Sequence, residues 1–290
     1  MALATVVSTW GSAPRPCGSH MLVHIDGRFE GSVSGGCVEG DVLALAEQVI
    51  ATEQSICRRY GVSDASAWEV GLPCGGRIEV IVQAVADGGF APALFDAIAL
   101  GRDEGRSVRI ATDLDTGRSR LASAGQADLF VNRYAPPRRL FIVGAVQIAQ
   151  GLASIARTLG IRPVIIDPRS RFLTEERFPD IELDDRWPDQ AIAARKPDAG
   201  SAVVTLSHDP KIDDPALIAA LARSTGYIAA LGSRRSHAAR IERLAAAGVC
   251  RADLDRIEGP AGIAIGAIGA AEIALSVAAG MVAALARERE

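Results

Sequence analysis

Apolar residues run unbroken through Leu140, Phe141, Ile142 and Val143. The block is short and rich in β-formers, so it reads as a strand buried on both faces. Gly144 and Ala145 make a tight turn, and from Val146 to Leu159 the apolar positions Ile148, Leu152, Ile155, Ala156 and Leu159 recur at helical spacing until Gly160 ends the run. A second strand, Arg162 to Ile166, closes on Asp167. Strand, turn, helix and strand in about thirty residues predict a right-handed βαβ unit. Further on, the pattern predicts strands over Pro179–Trp187, Ala202–Leu206 and Tyr227–Leu231. Helices are expected from about Asp214 to Arg223 and from Ser233 through Leu244. Cys250–Glu258 reads as a polar connector and Pro260–Gly266 as a glycine-rich crossing. The last helix, Ala270–Arg287, is apolar on more than one face, which suits a core helix or a homodimer contact.

The first part of the chain is patterned differently. Ala4–Trp10 reads as a strand that starts almost at the initiator methionine, as if a segment preceded it. Asp26-Gly27 between Met21–Ile25 and Arg28–Val33 predicts a hairpin. A helical run through Val42, Leu45, Ala46 and Val49 follows, then an alternating strand over Arg77–Val85, a helix over Ala91–Leu100 and a hairpin within Arg106–Ala122. The expected fold is therefore α/β: a C-terminal Rossmann-like parallel sheet with helices on both faces, plus an N-terminal mixed α+β domain. The expected boundaries are 1–125, a Pro-Pro linker at 126–138, and 139–290.

Composition narrows the function classes. A length of 290 residues suggests about two domains, and a 49% hydrophobic content with mean hydropathy +0.19 is enough to fill two cores. Net charge −4 and pI 5.7 give no general basic field, which argues against nucleic acid or an anionic membrane as the main partner. There is no long uncharged apolar run and no signal-peptide pattern, so a cytoplasmic protein without a membrane span is expected. The five cysteines are odd in number and lack any C-x-x-C pair, which fits neither a disulfide framework nor a structural zinc site.

Candidate chemistry lies in two regions. In the first domain, Gly35-Gly36-Cys37-Val38-Glu39 puts Cys37 at a helix N-terminus, where the dipole favours a thiolate, and Cys74-Gly75-Gly76 makes a second glycine-lined cysteine loop. Successive exposed N–H groups can form an anion-binding nest, although a small buried cysteine in a packed turn would look the same. In the second domain, Gly144, Ala145, Asp167, His208, Asp209, Ser233, Arg234 and Arg235 all fall at predicted strand ends, where open parallel sheets bind ligands. Asp167 lies roughly 20 residues beyond Gly144, as a ribose-binding acid would, but it also fits a turn with a local ion pair. His208 reads as a proton-transfer or ligand residue, or as a hydrogen-bonded loop residue. Arg234 and Arg235, at a helix start, suit an anion such as phosphate, or simply face water. At the second glycine of a Gly-x-Gly-x-x-Gly turn stands Val146, which should obstruct a normally placed NAD(P).

The stretches ATVVSTWGSAPRPCG, GSVSGGCVEG, YGVSDASAWEVGLPCGGRIEV, LSHDPKIDDPAL and ALGSRRSHAARIERL, with the Pro-Pro linker, resemble the xanthine dehydrogenase accessory family (XdhC, CoxF/CoxI) over nearly the whole chain. Members of that family read Gly-Ala-Gly-His-Val-Ala at the first Rossmann turn, where this chain has Gly144 to Ala149 as GAVQIA. The resemblance implies a chaperone or insertion factor rather than a turnover enzyme. Such a protein binds molybdenum cofactor (molybdopterin) during maturation of xanthine dehydrogenase or another molybdenum hydroxylase, with a cysteine desulfurase or sulfurtransferase as a further partner. On that reading Ser233, Arg234, Arg235 and the Gly144 turn hold the phosphate or pterin end, while Cys37, and with it Cys74, lies near the molybdenum. The rival readings are an NAD(P)-dependent oxidoreductase using Asp167 and His208, and a protein-only adaptor.

Overall fold

Strand alternation sorts the first residues of β1 (Ala2–Trp10) between two cores. Ala2, Ala4 and Val6 join one apolar cluster and Leu3 another. The computed structural model describes residues 1–61, 76–123 and 129–287, and the chain divides into two units, Met1–Pro136 and Pro137–Glu290.

In the first unit β1 is followed by β2 (His20–Val23), β3 (Phe29–Gly31), α1 (Glu39–Thr52), β4 (Ile56–Tyr60) and β5 (Arg77–Ala84). These strands form an antiparallel sheet in the order β3-β2-β1-β5-β4. Val42, Leu45, Ala46 and Val49 of α1 pack on one face. On the other, Leu3 meets Leu94 and Ile98 of α2 (Pro92–Asp103) and Ile110 of β6 (Val108–Thr112). β6 pairs with β7 (Ser119–Leu121) and with β8 (Phe130–Tyr134) in a separate small sheet.

β8 lies inside the stretch expected to be a linker. The reason is a polar network: Nδ1 of His20 bonds Thr5 Oγ1 at 2.9 Å, and its Nε2 bonds the Tyr134 hydroxyl at 2.9 Å and Asn132 Nδ2 at 3.2 Å. Burial pulls the imidazole down to about 4, so at neutral pH it is uncharged. The expected strand over Arg28–Val33 also ends early, because the chain from Ser32 onward wraps around Glu39.

The second unit is a parallel sheet. In chain order it contains β9 (Arg139–Val143), α3 (Gln147–Thr158), β10 (Arg162–Ile166), β11 (Glu182–Asp184), α4 (Pro188–Arg195), β12 (Ser201–Thr205), α5 (Pro210–Leu221), β13 (Tyr227–Ala230), α6 (Arg234–Ala246), α7 (Arg251–Leu254), β14 (Ile257–Glu258) and α8 (Ala270–Arg287). The strand order β11-β10-β9-β12-β13-β14 is that of a Rossmann domain, reversing direction of growth between β9 and β12. Leu140 and Ile142 face a core shared with α3 and α8, while Phe141 and Val143 face one shared with α4 and α5, so β9 is buried on both faces as its apolar run implies.

Three segments depart from the sequence pattern. The strand expected over Pro179–Trp187 contracts to β11, because Asp184 turns its carboxylate onto Arg186 N–H, Nε and Nη2 and onto Arg195 Nε. α5 begins at Pro210 because Asp209 caps it, accepting from Lys211 N at 2.9 Å, with proline in the first turn, where a missing N–H is harmless. The connector over Cys250–Glu258 folds into α7 and β14. Beyond it, the glycine-rich crossing leaves Ile263, Ile265 and Ile268 exposed. Among the described residues, no helix is long and apolar enough to cross a membrane.

Candidate functional site

Two loops of the first unit carry candidate residues. Gly35 (φ 81°) and Gly36 (φ 122°) curl the backbone so that consecutive N–H groups converge. The anion they converge on is the chain's own Glu39. Its Oε1 accepts from Ser32 Oγ at 2.6 Å and from the N–H groups of Val33, Ser34 and Gly35 at 3.2, 2.9 and 3.1 Å. Its Oε2 accepts from Gly36 N at 2.8 Å, Val38 N at 3.2 Å and the Ser34 hydroxyl. Burial alone would raise this carboxyl, but the hydroxyls and N–H groups overcome it and hold the group at about 2. Glu39 is therefore not free to contact a ligand, and the nest formed by Gly35 and Gly36 is filled from within.

Cys37, by contrast, is exposed just before α1, its N–H donating to Ser34 Oγ at 2.9 Å. The reading of Cys37 as a small buried residue is thus excluded. Among the described residues no group of three or more His, Cys, Asp or Glu side chains could cage a metal ion. Cys74 and Gly75 lie outside the described residues. Gly76 does not line an open loop: a Cβ there would stand 2.9 Å from the carbonyl carbon of Ser12, so its glycine serves a close crossing of two backbones.

In the second unit the first Rossmann turn is closed by its own hydrogen bonds. Gly144 N–H donates to Ile166 O at 2.9 Å, Ala145 N–H to Asp167 Oδ2 at 2.8 Å and Val146 N–H to Gly144 O at 2.9 Å. Asp167 is fully buried, and its Oδ1 takes the Arg169 N–H and Nε, both at 2.9 Å, while its Oδ2 also takes Arg169 Nη2 at 2.8 Å. All four acceptor positions of the carboxylate are thus occupied. Burial would raise this acid, but the guanidinium and the N–H groups of Ala145 and Arg169 hold it low. The ribose-acceptor role read from its spacing is closed to it, and the local ion pair is what the structure contains. Gly144 (φ 104°) lies against the chain just after β12: a Cβ there would stand 2.7 Å from Ser207 N, so no side chain fits at this position.

The open chemistry lies one strand further along. His208 (φ 61°) follows β12 at the mouth of a cleft, and Asp209 is committed to capping α5. Ser233 caps α6, accepting from Ser236 N at 3.1 Å. Arg234 and Arg235 are exposed in the first turn of α6, and neither guanidinium has a hydrogen-bond or ion-pair partner among the described residues. His208, Asp213, Ser236, Arg240 and Arg243 line the cleft, whose volume is about 160 Å³. The structure thus brings His208 together with α6 and leaves the Gly144 turn and Asp167 occupied with each other.

Sequence reading misses Asp213 and Arg240. Both are buried, and Asp213 Oδ1 accepts from Ser207 Oγ at 2.6 Å. No local pattern marks them, since charged residues on helices are ordinarily solvated. The one signal in the chain is that each lies on a helix that follows a predicted strand end.

Comparison with known proteins agrees with this architecture. Residues 140–281 match the family described as the XdhC Rossmann domain and residues 1–61 the XdhC and CoxI family. The chain is 32% identical over 279 residues to the molybdenum cofactor insertion chaperone PaoD of Escherichia coli, covering 96% of this chain and 81% of that one. It is 27% identical over 308 residues to a probable xanthine dehydrogenase subunit of Bacillus subtilis, covering 96% and 91%. A crystal structure described as a xanthine dehydrogenase from Bacillus halodurans superposes with a TM-score of 0.85 at 25% identity, over 100% of this chain and 92% of that one. With both ends matched by its models and a relative at 32% identity over nearly its full length, this chain belongs to the XdhC and CoxI family.

Proposed function

We propose that this protein is a molybdenum cofactor accessory protein, a chaperone or insertion factor that binds the cofactor and delivers it to xanthine dehydrogenase or a related molybdenum hydroxylase. The observation that carries the reading is the pairing of an occupied dinucleotide turn with an unpaired cationic rim. The N–H groups of Gly144, Ala145 and Val146 and the carboxylate of Asp167 are engaged within the chain, whereas Arg234 and Arg235 stand unpaired at a helix N-terminus beside the Ser233 cap. Dipole, free N–H groups and guanidinium act together on an anion there, which suits the phosphate end of a pterin ligand. The relatives described as a cofactor insertion chaperone and as part of a xanthine dehydrogenase support the same cargo and client class. In the first unit, taken by itself, the exposed Cys37 thiol is a soft donor open to a metal.

A nicotinamide-dependent oxidoreductase is disfavoured by the same turn, because Val146 stands where the second glycine of the motif would let a pyrophosphate approach, and the Asp167 carboxylate is taken by Arg169. The test is expression in a host that makes the cofactor, followed by gel filtration and measurement of molybdenum and pterin. Both should copurify with the wild-type protein, less with Cys37→Ser, and least with Arg234→Ala/Arg235→Ala. Absence of pterin from the wild-type protein would overturn the proposal.

A further inference from the structure

Arg240 is only 4% exposed, yet the nitrogens of its guanidinium are treated differently. Nη2 donates to Leu231 O at 2.9 Å, while Nε and Nη1 have no hydrogen-bond partner among the described residues. Buried donors left unmade cost about 1–3 kcal/mol each, more when charged, so such an arrangement calls for an acceptor. The nearest carboxylate does not supply one: Asp213 Oδ2 is 4.0 Å from Nη2, and Oδ1 is turned to Ser207. The other acid nearby, Asp214, is engaged by Arg243 at 2.7 and 3.1 Å. Asp213, Arg240 and Arg243 line a cleft with His208 and Ser236, and its volume of about 160 Å³ has room for a phosphate group. Gly232 helps keep it open, since a Cβ there would stand 2.4 Å from Ser236 Oγ.

We infer that Arg240 is the anchor of a phosphoryl-binding pocket, in which the unpartnered nitrogens of its guanidinium, at the wall of the cleft, donate to the oxygens of a phosphate group. A phosphate supplies several acceptor oxygens and the negative charge that the buried guanidinium lacks. Burial shifts the Asp213 carboxyl upward, against the pull of the Ser207 hydrogen bond and the Arg240 charge. The inference rests on the reading of the strand tips as the ligand-binding rim and adds to it a buried anchoring residue.

The test uses the full chain purified free of phosphate and titrated calorimetrically with inorganic phosphate, glycerol 2-phosphate and acetate. Saturable binding of phosphate is expected, weakened about tenfold or more in Arg240→Met. That variant leaves Asp213 buried and unpaired, so Asp213→Asn/Arg240→Met is measured beside it. The double variant is expected to fold as stably as the wild type, because replacing a whole buried ion pair by uncharged groups is often neutral. Tighter binding of the ester than of the free ion would identify the natural ligand as a phosphorylated molecule; the reverse would identify free phosphate. No saturable phosphate binding, wild-type affinity in the double variant, or acetate bound as well as phosphate would overturn the inference. Pterin copurification is a separate readout, so failure of this pocket and failure of the cofactor reading are distinguishable.

Discussion

Oδ2 of Asp167 accepts the N–H of Ala145 at 2.8 Å, tying the end of β10 to the turn after β9. That one bond uses both the acid a dinucleotide fold offers to ribose and a donor it offers to pyrophosphate. NAD and NADP are therefore expected to leave the melting temperature unchanged at millimolar concentration, which a thermal-shift titration checks. Asp167→Asn should cost about 2–4 kcal/mol in urea unfolding, since it weakens the Arg169 pair at a buried position.

Glu39 gives the first unit an acid-sensitive joint. Its folded value of about 2 lies below the ordinary 4.5, so its stabilisation is complete above about pH 4.5 and lost as pH falls towards 2. The shift corresponds to roughly 3 kcal/mol. Glu39→Gln should lose a similar amount at pH 7 and flatten the acid limb of the stability curve, as followed by urea unfolding at stepped pH.

His20 acts over a higher window. Because burial lowers it from 6.5 to about 4, the unfolded chain takes up its proton first, and stability falls as pH drops from about 6.5 to 4. His20→Gln should remove that slope, and hydrogen exchange should show β8 loosening first, since Tyr134 and Asn132 lose their shared partner.

Gly144→Ala places a Cβ against Ser207 N in a left-handed conformation, and is expected to cost about 2–4 kcal/mol in urea unfolding. Arg234→Ala and Arg235→Ala are expected to stay within about 0.5 kcal/mol of the wild type, as exposed side chains do. Together the two results would separate residues that build the sheet edge from residues free to act on a ligand.

The parallel sheet was legible because β9 and β10 are continuous apolar blocks whose burial on both faces leaves a pattern in the chain. The strand-end residues were legible as positions but not as states. Gly144, Asp167 and Glu39 have the residue types of ligand contacts, and only the folded chain reveals that Ile166 O satisfies the first, Ala145 and Arg169 the second and the Ser32–Val38 segment the third. Arg240 was illegible for the opposite reason: an arginine within a polar helix looks solvated until the packing around it is seen. β8 escaped notice because the side chain that anchors it, His20, lies more than a hundred residues earlier in the chain.

The carboxylate that shapes the Cys37 loop belongs to the same chain, so the loop takes its form on folding and not on encounter with cargo. The Cys37 thiol thus sits on a frame that the chain builds for itself. On the proposed reading, a ligand would meet that sulfur without any reordering of the loop, so its affinity would carry no cost for shaping it.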